Sequence, residues 1–145
     1  METTADMLSM HDLKGAYEFP PKFDQRDLEA RASLVHRDLE AMFGRGLLFE
    51  GGIYNQDASF SVAIRLTETP GVGVTHVCDL RFSNFGDMVA VTNEDYDGSD
   101  ECMKVFEIAR KHGFTPIPHE ALDRDYDGIN GGAFRTWWIR YFDWI

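Results

Sequence analysis

The chain has 145 residues, 43% hydrophobic and 13% aromatic, with 14 Lys+Arg against 25 Asp+Glu, a net charge of −11 and a pI near 4.7. That length and apolar content exclude a disordered or fibrous chain and predict one domain with a real core. The few, scattered basic residues exclude direct nucleic-acid binding, while the acidic surface repels anionic membrane and attracts cations and basic partners.

Residues 1–22 read as a lead-in segment and residues 23–145 as a single domain. Met7, Leu8, Met10 and Leu13 mark a short helical turn ending at Gly15, and Pro20-Pro21 stops any helix. Asp24 to Phe43 is the clearest helix. Asp24 caps it, Leu28, Ala32, Val35, Leu39 and Met42 form one apolar stripe, and Gly44 and Gly46 end it. Packing on a sheet is the expected use of that stripe; a dimer seam is the alternative.

Leu47 to Tyr54 reads as a strand kinked at Gly51-Gly52, followed by a turn over Asn55 to Ala58. Phe60, Val62, Ile64 and Leu66 then alternate with Ser59, Ser61, Ala63 and Arg65, which predicts an antiparallel strand with one buried face. Thr69-Pro70-Gly71 turns the chain. Val74, Cys78, Leu80 and Phe82 mark a third strand, and Met88 to Thr92 a fourth. The short connections predict a meander.

Asn93 to Asp100 is an acidic loop. Ser99 caps a second helix, Asp100 to His112, whose end charges match its dipole and whose Cys102, Val105, Phe106 and Ala109 face inward. Thr115 to Pro118 is extended but broken by proline, and Glu120 to Asp127 forms a second acidic loop. The last stretch, Gly131 to Ile145, holds Trp137, Trp138 and Trp144 with Phe134, Tyr141 and Phe142. Aromatics at this density predict a central strand with two apolar faces: Phe134, Trp138 and Phe142 on one, and Trp137, Ile139 and Tyr141 on the other. The expected fold is α+β: a single antiparallel sheet of about five strands, made of a four-strand meander and the C-terminal aromatic strand, with two main helices packed on it.

Two local echoes carry the chemistry. Asp95-Tyr96-Asp97-Gly98 recurs as Asp125-Tyr126-Asp127-Gly128, and upstream the two read Asn93-x-Asp95-x-Asp97-Gly98 and Asp123-x-Asp125-x-Asp127-Gly128. Each resembles the first half of the calcium loop of EF-hand proteins, where alternate oxygens wrap a hard cation and glycine permits a sharp turn. The resemblance implies a calcium site at Asp123, Asp125 and Asp127. It ends there, because Lys104 and Phe134 stand where a bidentate glutamate belongs. The other reading of both loops is an acidic turn closed by glycine.

The same loops also read as an interaction surface. Asp95, Tyr96, Asp97, Asp100 and Glu101 form one cluster, and Asp123, Asp125, Tyr126 and Asp127 another, with tyrosine anchors among steering carboxylates. The expected function is a small acidic module that neutralises or inhibits a basic protein, such as a nuclease or nucleic-acid-binding protein. In size and charge it is similar to bacterial toxin-immunity proteins and phage anti-defence inhibitors. The alternative is a small enzyme or ligand-binding domain with a pocket near His76 and Cys78, two residues apart on one strand. No catalytic triad assembles. Apart from calcium no cofactor is expected, and self-association through the C-terminal aromatics or the first long helix is a further option. Cys78 and Cys102 match no zinc pattern and read as buried thiols, and the N-terminus lacks an apolar run, so a reducing cytoplasm is expected.

Overall fold

In the computed structural model, residues 3–17, 19–51, 62–73 and 75–142 are described. The predicted turn at Asn55–Ala58 lies outside them. Helix α1 (Thr4–Met10) opens on a capping box: Thr3 Oγ1 accepts from the Asp6 amide, and Asp6 accepts from the Thr3 amide, both at 3.1 Å. Helix α2 (Gln25–Phe43) starts at Asp24, whose carboxylate accepts from the Asp27 amide, and ends at Gly44 in left-handed backbone, φ 70°. Four of its five stripe residues are buried; Met42 is exposed.

The sheet runs β1 (Phe49–Glu50), β2 (Val62–Pro70), β3 (Thr75–Phe82), β4 (Met88–Val91) and β5 (Thr115–Pro116), in that order. The first four pair antiparallel as the expected meander, but β5 pairs parallel to β4, so the sheet is mixed. Helix α3 (Asp100–Lys111) explains the parallel step. It carries the chain back along the sheet, so the next strand points the same way as β4. Ile117 N–H donates to Val89 O and Thr115 N–H to Asp87 O, each at 2.9 Å, and Pro116, which has no N–H, sits between them on the sheet edge.

Strand β4 is buried at all four residues. Val89 and Val91 face a core formed with α2 and α3, including Leu28, Val35, Leu39, Cys102 and Val105. Met88 and Ala90 face a second core with Leu8 of α1, Leu122 of α4 (His119–Leu122), and Trp137, Tyr141 and Phe142. The unbroken apolar run at Met88–Val91 is what a strand covered on both faces requires.

The aromatic stretch is not a strand. After a 3-10 turn at Gly131–Ala133 it forms helix α5 (Trp137–Phe142). Thr136 Oγ1 accepts from the Ile139 amide at 3.3 Å, and Thr136 O from the Arg140 amide at 3.1 Å. Trp137 stacks on Tyr141 at 5.9 Å and Trp138 on Phe142 at 5.2 Å, both pairs four residues apart. Strand propensity loses here because Arg140 must be buried with Trp137 and Tyr141, and only helical spacing puts residues three and four apart on one face.

Arg140 is fully buried and pairs with Asp12, itself buried, Nε to Oδ1 at 2.8 Å. Its remaining donors reach the carbonyls of Ala16 at 2.7 Å, Leu13 at 3.3 Å and Tyr17 at 3.3 Å. The guanidinium lies 4.4 Å from the centre of the Phe85 ring and 4.9 Å from that of Phe134. Asp12 Oδ2 accepts from Tyr126 Oη at 2.7 Å and from the Ile129 amide at 2.9 Å. Burial opposes the Asp12 charge, but hydrogen bonds from Tyr126 and Arg140 outweigh it and hold the carboxyl below its ordinary range. A Cβ on Gly128 would stand 1.9 Å from Asp12 Oδ2, so only glycine fits beside this carboxylate.

Asp12→Ala or Arg140→Met leaves a buried charge without its partner and is expected to cost about 3–5 kcal/mol in urea denaturation. Gly128→Ala, which crowds the same carboxylate, is expected to cost about 1–3 kcal/mol. The folded-state pKa of Asp12 lies below its unfolded value. Its contribution is therefore complete above the unfolded pKa and fades as pH falls through the folded one. Asp12→Asn should lack that part of the acid limb in a pH series of denaturation midpoints.

Candidate functional site

The two acidic loops are linked through His119 beside the C-terminal end of β4. In the first, Asn93 Oδ1 accepts from the Asp95 amide at 2.8 Å and Asn93 O from the Tyr96 amide at 3.2 Å, which makes a tight Asx turn. Gly98 follows at φ 85°, and Ser99 caps α3 by accepting from the Cys102 amide at 3.1 Å.

His119 joins this loop to the second. Its amide donates to Asp97 Oδ2 at 2.9 Å. Its Nε2 donates to Val91 O, since a carbonyl only accepts, and its ring stacks on Trp138 at 5.2 Å. The other ring nitrogen, Nδ1, lies 3.9 Å from Asp123 Oδ2. One histidine thus sits between a carboxylate of each loop. Beyond it the chain is extended: Asp125 bridges Thr136, the Tyr126 amide donates to Arg135 O at 3.0 Å, and the Trp137 amide donates to Arg124 O at 3.3 Å.

The carboxylates of this region differ from those elsewhere. Glu94, Asp95, Asp100, Glu101, Glu120, Asp123, Asp125 and Asp127 are exposed, and Asp97 is half-buried. Among the described residues none of these nine forms an ion pair with Lys or Arg, and only Asp123 lies within 4.0 Å of a histidine ring nitrogen. The cations that do form ion pairs do so with other carboxylates. Arg65 lies 2.6 Å from Asp79 and 3.0 Å from Glu68, Arg31 lies 3.0 Å from Asp27 and 2.7 Å from Asp87, and Lys111 lies 3.5 Å from Asp38. Nine carboxylates against Arg124 and Arg135 leave the two loops net negative.

The two tyrosines are not the exposed anchors expected of them. Tyr96 packs against the main core with its hydroxyl buried and outside hydrogen-bonding geometry. Burial, and then the nearby Glu101 carboxylate, push its ionisation well above the ordinary phenol range. Tyr126 packs against Trp137 at 4.7 Å and Phe134 at 5.3 Å while holding Asp12. The residues between the carboxylates are apolar because they face the core, not because they await a partner.

His76 and Cys78 do not share a cavity. The distal half of the β2–β3 hairpin is exposed, His76 with it, whereas Cys78 is buried in the main core. Both thiols are free, and burial raises both, Cys102 to about 11. Among the described residues no three His, Cys, Asp or Glu side chains group as metal ligands, and no helix is long and apolar enough to cross a membrane. Sequence reasoning missed Asp12, and it read His119 beside Glu120 as a candidate base and Trp138 as a strand residue rather than as the pair that joins the loops.

No protein-family model matches this chain, and no curated protein or solved structure is similar enough to count as a match.

The two kinds of residue in these loops separate on substitution. Tyr126→Phe removes the hydroxyl shared by Asp12 and the Asn130 amide and is expected to cost about 1–3 kcal/mol. Asp125→Asn and Asp127→Asn, on exposed side chains, are expected within about 0.5 kcal/mol of the parent. Urea denaturation of the three variants checks this.

Proposed function

We propose that this protein is a binding module that takes a basic protein as its partner through the carboxylates of the two acidic loops, and that it neutralises or shields that partner. One observation carries the reading: the two loops, joined through His119, hold nine carboxylates against Arg124 and Arg135 beside them, and among the described residues none of the nine is ion-paired with Lys or Arg. Uncompensated negative charge on a fixed scaffold speeds encounter with a positive surface and selects for it. The scaffold here is well held, because His119 ties the first loop to the second and rests on Trp138. A nuclease or other nucleic-acid-binding protein has the complementary surface, and carboxylates at this density compete for the site where phosphates bind. The tyrosines have no part in the proposed contact.

The test is a comparison of the parent protein with the Asp95→Asn, Asp123→Asn, Asp125→Asn, Asp127→Asn variant as immobilised bait, eluted along a salt gradient. The parent is expected to retain a basic protein that leaves at moderate salt. The variant is expected to bind that protein at least tenfold more weakly, with its denaturation midpoint unchanged. Equal retention by both baits would remove the acidic loops from the proposal. A calcium titration of both proteins, followed by calorimetry, separates this reading from a cation site at Asp123, Asp125 and Asp127.

A further inference from the structure

A cavity of about 310 Å³ opens between the segment entering α2, the first turns of α2, and the β3–β4 turn. It adjoins the start of β4, whereas the acidic loops adjoin its end. The volume lies at the small end of ligand sites. Pro20, Phe23 and Leu28 form an apolar wall. Ser83 and Asn84, 1% and 4% exposed, supply buried polar side chains to the lining.

The rest of the lining carries both signs of charge. Arg31 is committed to the protein: it donates to Asp27 Oδ2 at 3.0 Å and to Asp87 Oδ1 at 2.7 Å, with its guanidinium 4.8 Å from the centre of the Phe114 ring. Lys22 has no ion pair among the described residues and is the cation left for a ligand. Asp24 uses Oδ1 to accept from the Asp27 amide, and Asp87 uses Oδ1 for Arg31, so each presents its second carboxylate oxygen. The backbone adds an independent mark. Lys22 at φ 63° and Asp87 at φ 54° are the non-glycine residues with positive φ among those described, and both line this cavity. Left-handed backbone at such residues is costly, and it collects where a ligand site needs a side chain aimed.

We propose that this cavity binds a small zwitterion of the free amino-acid class. Lys22 takes the ligand's carboxylate, Asp24 and Asp87 take its ammonium, and its side chain lies along Pro20, Phe23 and Leu28. An anion alone would leave the carboxylates facing each other. A simple cation would leave Lys22 unmatched. A ligand with an ammonium and a carboxylate on one carbon and an apolar body matches Lys22, Asp24, Asp87 and the apolar wall.

The test is calorimetric titration of the parent protein with leucine, phenylalanine and glutamine, and with N-acetyl-leucine and leucinamide, which each lack one charge. Saturable binding of at least one free amino acid is expected, with either blocked form at least tenfold weaker. Lys22→Asn and Asp87→Asn remove one charge each while keeping a residue that tolerates left-handed backbone. Each should weaken binding at least tenfold, with unchanged circular dichroism and melting confirming the fold. The proposal is overturned if none of the three amino acids binds, if the blocked forms bind as well as the free one, or if both variants bind like the parent. The acidic-loop variant should bind the amino acid normally, so failure here and failure of the partner reading are separate results.

Discussion

The buried ion pair between Asp12 and Arg140 is the contact on which the arrangement of the chain's two ends depends. The two residues are 128 positions apart and form a hydrogen-bonded pair with almost no solvent exposure. Desolvating both charges is expensive, and the mutual attraction offsets the cost only because nearly every remaining donor and lone pair is used. Arg140 donates to three carbonyls of the 13–17 segment, and Asp12 accepts from Tyr126 and the Ile129 amide. Tyr141 adds a hydrogen bond from its hydroxyl to Leu8 O. The N-terminal segment is therefore built into the second core. Helix α5, six residues long among those described, is held by this network and by its aromatic packing.

Burial of β4 on both faces follows from the same contacts. One face belongs to α2 and α3; the other belongs to α1, α4 and α5. The first of these cores is assembled from long stretches with clear periodicity. The second comes from short pieces far apart in the chain: residues near 8, near 85, near 120 and near 140. Such pieces reward folding only once they meet, because closing the intervening loops costs entropy before any contact repays it.

The distribution of charge separates structure from surface. Cations are spent where two elements must be joined: Arg31 ties α2 to the β3–β4 turn, Asp38 takes His112 and Lys111 across α2 and α3, and Arg65 binds Asp79 across β2 and β3. On the two loops beyond β4, Arg124 and Arg135 stand beside nine carboxylates and form no ion pair with them among the described residues. The two loops therefore keep an excess of unpaired negative charge. Ion pairs at half-exposed sites are worth little individually, so their consequence is where the unpaired charge remains.

Much of the fold was legible in the residues themselves. Asp24, the Leu28–Leu39 stripe and Gly44 delimit α2, Ser99 and the end charges delimit α3, and the Met88–Val91 run marks a strand, because caps and periodicity act within a few residues. The acidic loops were legible as sequence echoes, and their nearness to one another was not. Tertiary structure decided the rest. The run of tryptophans and phenylalanines fits a strand of period two and a helix with partners four apart, and its own residues do not choose between them. The choice came from Arg140, which needed Asp12, and no local rule links residues at that distance. Tyr96 and Tyr126 were turned inward by the same kind of long-range contact, and β5 was made parallel by a crossover helix. Local chemistry determined which segments form elements; the pairing of buried charges and faces determined what the ambiguous ones became.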